Sequence, residues 1–157
     1  MNSLLVTYIL QTEKWTSPEL FETKNRIYTF LNPVSYLIAL ENKSLFEQFD
    51  GIFADGSLLV SAIRLVYGKR VTRRSFDMTS LAPELLNYLM ESRKTLYIVA
   101  SGQEQVECSV RIFQEQYPKL RIAGFRNGYF SSDAEMNKEA SHIVELNPDF
   151  LIVGMGA

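Results

Sequence analysis

At 157 residues, with 46% hydrophobic and 22% charged positions, the chain has the composition of an ordinary globular protein and enough length to bury a core. A net charge of −2 argues against a nucleic-acid binder, since phosphate affinity needs a basic surface. The lone Cys108 excludes a disulfide framework or a thiolate metal site, and no run approaches the roughly 20 apolar residues of a membrane span.

The N-terminus carries no basic leader or small-residue cleavage site, so a cytoplasmic location is expected. Residues 1–25 form an N-terminal segment with little legible pattern. Leu4 to Leu10 suits a strand or the start of a helix, and Trp15 to Lys24 suits a loop or short helix. Regular structure begins beyond it, and 26–157 reads as one α/β domain. Ile27 to Leu31 is strand-like and ends at Asn32-Pro33, after which Tyr36, Leu37 and Leu40 mark a short helix. Ser44 suits the cap of a brief helix carrying Leu45, Phe46 and Phe49. Gly51 to Ala54 is a second short buried strand, closed by Asp55-Gly56.

Ser57 opens a helix with Leu59, Ile63, Val66 and Tyr67 on one face, stopped by Gly68. The basic run Lys69 to Arg74 follows, either a solvated loop or a phosphate-facing one. Ser80 heads a helix with Pro83 in its first turn and Leu85, Leu86, Leu89 and Met90 as its apolar side. Thr95 to Ala100 is the third strand, leaving through Ser101-Gly102, and a helix from Gln103 to Tyr117 presents Val106, Val110 and Phe113. Leu120 to Gly124 is strand four. Ser132 and Glu135 have the capping-box spacing, so a helix runs from there to about Leu146. The apolar run Phe150 to Val153, behind Asn147-Pro148 and ahead of Gly154-Met155-Gly156, reads as a central strand covered on both faces. Strands alternating with helices predict a Rossmann-like, mostly parallel sheet with helices on both faces.

In such sheets ligands gather beyond the carboxyl ends of the strands. Asp55 closes an apolar strand there and precedes a glycine that opens a helix. It can act as a general base, which needs one carboxylate within reach of an acceptor hydroxyl, or it can simply stabilise the helix N-terminus. Asn32 offers an amide at a neighbouring strand end, though Asn before Pro is also an ordinary turn residue. The turns at Ser101-Gly102 and Gly154-Met155-Gly156 suit backbone contacts to a diphosphate, and Tyr129 suits stacking on a nucleobase or packing over the sheet end. With no Asp-x-Asp pair in the chain, metal-independent chemistry is favoured, cations and helix ends carrying the phosphate charge. Cys108 reads as a helix-face residue and His142 as a surface one.

Taken in order, several stretches resemble the WecG/TagA/CpsF family of bacterial glycosyltransferases. They are the strand ending at Asn32, Phe53-Ala54-Asp55-Gly56, Ser75-Phe76-Asp77-Met78-Thr79-Ser80, Ile98 to Gly102, Asn127-Gly128-Tyr129-Phe130 and Pro148 to Ala157. Members of that family make wall teichoic acid linkage units, enterobacterial common antigen and capsule or exopolysaccharide. The resemblance implies inverting, metal-independent and cofactor-free transfer of an N-acetylhexosamine from a UDP-sugar to a polyprenyl-diphosphate-linked sugar. N-acetylmannosamine is the best-known donor sugar, and the setting is the inner face of the plasma membrane. By that analogy Asp55 is the base. Asn32, Phe30, Gly56, Arg73, Arg74 and Asp77 lie on the substrate side, and Ser101, Gly102, Tyr129, Gly154, Met155 and Gly156 at the nucleotide.

Three departures stand out. Phe30 replaces a small residue two before the Asn, Ser75 stands where many members have glycine, and the doubled Arg73-Arg74 leaves the loop alignment open. By the same resemblance, a Pro-Lys-Gln-Glu segment and a basic membrane-seating appendage are expected after Gly156-Ala157. The chain therefore reads as a truncated piece, poorly active alone, whose terminal strand favours self-association into a homo-oligomer. Two other readings compete. One is a non-catalytic nucleotide-sugar-binding fragment with Asp55 as a helix cap. The other is a nucleotide-dependent oxidoreductase, disfavoured because the first strand-to-helix turn lacks Gly-x-Gly-x-x-Gly.

Overall fold

The computed structural model describes residues 4–156, so residues 1–3 of the N-terminal segment and Ala157 of the terminal motif lie outside the described residues. The chain forms two compact units, 1–84 and 85–157, which part within the helix Leu81–Ser92. Both are α/β, and every strand pairing in them is parallel.

The first unit runs α1 (Leu4–Thr12), α2 (Ser17–Glu22), β1 (Tyr28–Leu31), α3 (Pro33–Glu41), α4 (Lys43–Phe46), β2 (Gly51–Ala54), α5 (Ser57–Tyr67) and the start of α6 (Leu81–Ser92). The N-terminal segment is thus helical over Leu4–Thr12 and Ser17–Glu22. Leu5, Val6, Ile9 and Thr12 make its buried stripe, at helical spacing. The Thr12 hydroxyl donates to the Ile9 and Ile52 carbonyls at 2.8 and 3.0 Å, tying α1 to β2. β1 pairs with β2 from Tyr28↔Gly51 to Leu31↔Ala54. The core gathers Leu31, Ala39, Ile52, Leu59 and Ile63 with the α1 stripe.

Three expectations change here. α3 buries Tyr36 and Ala39 and leaves Leu37 exposed, and α5 buries Leu59 and Ile63 but not Val66, because each helix meets the small sheet along a stripe narrower than its apolar face. The cap position of α4 is Asn42 rather than Ser44, the chain turning out of α3 at that residue. Gly68, at φ 64°, ends α5 as expected.

The second unit continues α6 and adds β3 (Thr95–Ala100), α7 (Gln103–Gln116), β4 (Arg121–Arg126), α8 (Asp133–Leu146) and β5 (Phe150–Gly154), in strand order β4-β3-β5. β3 is the buried centre, and Leu85, Leu86, Leu89, Val106 and Val110 supply the helical side of the core. β5 departs from its reading as a doubly covered strand. It pairs only with β3 among the described residues, and Leu151 and Val153 are 48% and 60% exposed. Its continuous apolar run made it look central, whereas the pairing puts it at the border of this sheet. β4 runs two residues beyond the predicted end, to Arg126. Its register slips between Leu96 and Tyr97, and a Cβ on Gly124 would lie 2.5 Å from the Tyr97 ring, so the glycine makes room for that side chain.

Candidate active site

In the first unit the carboxyl ends of β1 and β2 bring Asn32 and Asp55 side by side, because Leu31 pairs with Ala54 and the Asp55 N–H donates to the Leu31 carbonyl at 2.8 Å. The segment after α5 runs to the same end, where the Arg74 N–H donates to the Ala54 carbonyl at 2.9 Å. The basic run is therefore anchored rather than freely solvated. Val71 is buried, and the Thr72 N–H donates to the Glu13 carboxylate.

Each sequence-derived candidate finds a definite place. The Asn32 carbonyl oxygen Oδ1 accepts from the Val34 and Ser35 N–H groups at 2.9 Å each, capping α3. The side-chain oxygen of Asn32 is thereby committed to structure. Asp55 does not cap α5. The cap position is Gly56, no side chain bonds there, and the carboxylate makes no hydrogen bond among the described residues. Among the described residues it pairs with Arg73, at 3.9 Å, and it is one-third exposed. The cap position falls one residue later than Asp55, where the chain passes through Gly56 at φ 87°, ψ 139°.

A Cβ on Gly56 would meet nothing within 4 Å, so only the backbone requires glycine there. Gly56→Ala is expected to cost about 1–3 kcal/mol in stability. Equilibrium urea unfolding checks this, and an unchanged midpoint would count against a strained turn.

Of the paired arginines, Arg73 faces the acid. It bridges Asp55 and Asp77, reaching the latter at 3.0 Å. Arg74 turns inward with its guanidinium 5.5 Å from the Phe53 ring centroid and donates to the Thr12 carbonyl. Asp77, placed on the substrate side by the resemblance, is engaged by its own loop. Its oxygens accept from Ser75 Oγ at 2.7 Å, from the Thr79 N–H at 2.8 Å and hydroxyl at 2.7 Å, and from Arg73. The Thr79 and Ser75 bonds, joined by Arg73, hold its carboxyl down at about 2. Phe30 stacks on Phe53 at 5.2 Å and tilts against Phe76 at 5.8 Å, so the bulky residue that replaces a small one belongs to an aromatic cluster under the acid.

The second unit brings its turns together in the same way. Ser101, at φ 51°, donates its N–H to the Gly154 carbonyl at 3.1 Å, and its carbonyl accepts from the Gly128 N–H at 2.9 Å. A serine in the left-handed region is held there by turns on both sides. Gly102 starts α7, and the Met155 side chain lies against Gly128. Gly156, at φ 88°, closes the motif. Gly128, Tyr129, Phe130, Met136 and Met155 line a shallow recess of about 470 Å³, and Tyr129 is 74% exposed over it. Ser101 and Gly102 brace this recess without lining it.

Ser132 caps α8 as its spacing predicts, but Glu135 reaches back to Ser131, whose N–H and hydroxyl donate at 2.7 and 2.6 Å. Those bonds and Arg126 hold the Glu135 carboxyl at about 2. Arg126 belongs to none of the motifs read in the sequence, and its role emerges only from where β4 ends. Cys108 lies on α7, exposed, and His142 is a surface residue as read, its imidazole edge-on to Tyr97 at 6.4 Å. Among the described residues no cluster of three metal-ligating side chains occurs, and no helix is long and apolar enough to cross a membrane.

Parallel strands alternating with helices and ending in glycine turns place the molecule in the class of Rossmann-like α/β proteins. The chain belongs to the glycosyl transferase WecG/TagA/CpsF family, whose model matches residues 9–157. It is 31% identical over 130 residues to the UDP-Gal:alpha-D-GlcNAc-diphosphoundecaprenol beta-1,4-galactosyltransferase of Shigella boydii, a match covering 83% of this chain and 54% of that protein. It is 23% identical over 160 residues to the N-acetylglucosaminyldiphosphoundecaprenol N-acetyl-beta-D-mannosaminyltransferase of Bacillus subtilis (strain 168), covering 99% and 59% respectively. The chain thus spans a little over half the length of these curated relatives.

Proposed function

We propose that the protein transfers a hexose from a UDP-sugar to N-acetylglucosamine carried on a polyprenyl diphosphate, in surface polysaccharide synthesis, with inversion at the anomeric carbon. The observation that carries this reading is the Asp55 carboxylate, which stands at a strand end free of capping duty with a guanidinium 3.9 Å away. Asp55 accepts the proton of the acceptor hydroxyl, the oxygen attacks the anomeric carbon, and the bond to the UDP oxygen breaks as UDP departs. Arg73 supplies positive charge for the diphosphate, its site tuned by Asp77. The Asn32 amide contacts donor or acceptor sugar. Ser101, Gly102 and the Gly154-Met155-Gly156 turn serve the nucleotide, with Tyr129 stacking on the base.

The acceptor reading is supported by both relatives, whose names specify N-acetylglucosamine on diphosphoundecaprenol. They differ in the donor: galactose for the Shigella protein and N-acetylmannosamine for the Bacillus one. An N-acetylhexosamine is the donor sugar that the family resemblance implies, and the 31% relative favours galactose as the second reading. The lipid acceptor implies work at the membrane surface, with peripheral attachment.

Calorimetric titration with UDP, UDP-N-acetylhexosamines and UDP-galactose, with and without Mg²⁺, tests the proposal. Binding of UDP and of one UDP-sugar is expected, unchanged by Mg²⁺. A strict Mg²⁺ requirement would defeat the metal-independent mechanism, and binding of NAD in place of UDP would defeat the assignment altogether.

A further inference from the structure

We propose that Arg126 is a positioning residue for nucleotide binding: it fixes the turn 127–131 so that Tyr129 stays presented at the recess. The proposal rests on the reading of Tyr129 as a nucleotide contact. Arg126 ends β4 with its side chain only 16% exposed. Its Nε donates to the Asn127 carbonyl at 3.0 Å and its Nη2 to the Tyr129 carbonyl at 3.1 Å. The same Nη2 reaches Glu135 of α8 at 2.9 Å, and the guanidinium carbon lies 4.0 Å from the Phe130 ring centroid. Nη1 pairs with Glu139 at 3.7 Å, a carboxylate that also accepts from the Tyr97 hydroxyl of β3.

One planar group therefore joins the turn's backbone at two points, stacks on its aromatic, and anchors all three to α8 and the central strand. Only a guanidinium has donors enough, in a rigid fork, to do this; an ammonium is a single point of charge. The result runs against hydrophobic economy. Phe130 is drawn in beneath the cation while the adjacent Tyr129 remains 74% exposed, although a loose turn could fold that ring onto its neighbours. Holding a large aromatic in water makes sense where a flat ligand is to cover it.

The test compares Arg126→Gln and Arg126→Lys with the unaltered protein by amide hydrogen exchange and by UDP titration. The Lys variant keeps the charge that Glu135 and Glu139 need, so it preserves the fold if the Gln variant does not. Exchange at the Gly128, Tyr129 and Ser131 amides should rise roughly tenfold or more in either variant, while the β3 amides stay protected. UDP affinity should fall about tenfold. In a Tyr129→Ala background the Arg126 substitution should change UDP affinity by less than about twofold, because the effect travels through that ring. Normal exchange in the turn of a folded Lys variant would overturn the proposal, as would a full loss of affinity in the Tyr129→Ala background. If the unaltered protein fails to bind UDP, the functional reading falls, and turn exchange alone then decides whether Arg126 positions the turn.

Discussion

Asp55→Asn is expected to lower turnover by roughly 10²–10⁴-fold, the usual yield of a positioned general base, without lowering stability. The substitution is close to isosteric, and the carboxylate it neutralises makes no hydrogen bond among the described residues beyond its 3.9 Å pairing with Arg73. The backbone N–H that joins residue 55 to Leu31 is untouched. Asp77 is the contrasting control. It accepts from Ser75, Thr79 and Arg73, so Asp77→Asn should loosen its loop, whereas Asp55→Asn should leave the loop intact. The measurement is sugar transfer from the UDP-sugar that binds, read beside a urea unfolding curve for each variant. Normal turnover by Asp55→Asn would remove the base from the mechanism.

Phe53→Ala is expected to destabilise the first unit by about 3–5 kcal/mol, a large share of the roughly 5–15 kcal/mol that holds a domain together. Phe53 is 2% exposed in β2, with Phe30 stacked at 5.2 Å and Tyr28 and Trp15 edge-on at 6.0 and 6.5 Å. Its neighbours cannot collapse into the space without leaving their own partners, which is the condition for the upper part of the cavity cost. The consequence reaches the chemistry, since Arg74 lies over this ring and Phe30 precedes Asn32 by two residues. Denaturant unfolding of the variant checks the number. A loss below about 1 kcal/mol would mean that the aromatic cluster repacks freely.

The aromatic cluster also explains why Phe30 can stand where the family resemblance leads one to expect a small residue. Its ring is absorbed between Phe53 and Phe76. Bulk at that position thus serves packing, and the strand end beyond it keeps Asn32 and Asp55 in register.

The sequence by itself determined the alternation of strands and helices, the parallel pairing, the turns at Asp55-Gly56, Ser101-Gly102 and Gly154-Met155-Gly156, and the family. These are local matters: an apolar run, a glycine and a cap act within a few residues of one another. Tertiary structure alone decided the rest. Leu4 to Leu10 carries both strand-like and helix-like residues, and became a helix because Leu5, Val6, Ile9 and Thr12 could be buried together against β2. Phe150 to Val153 looks like a core strand by composition, yet where a strand lies in a sheet depends on its partners. Arg73 and Arg74 are indistinguishable as letters. A backbone bond from Arg74 to Ala54 turns one side chain over Phe53 and leaves the other at the acid. Arg126 carries no signal in the sequence because its five partners are split between the turn that follows it and α8, and a charged side chain acquires its purpose only from what surrounds it.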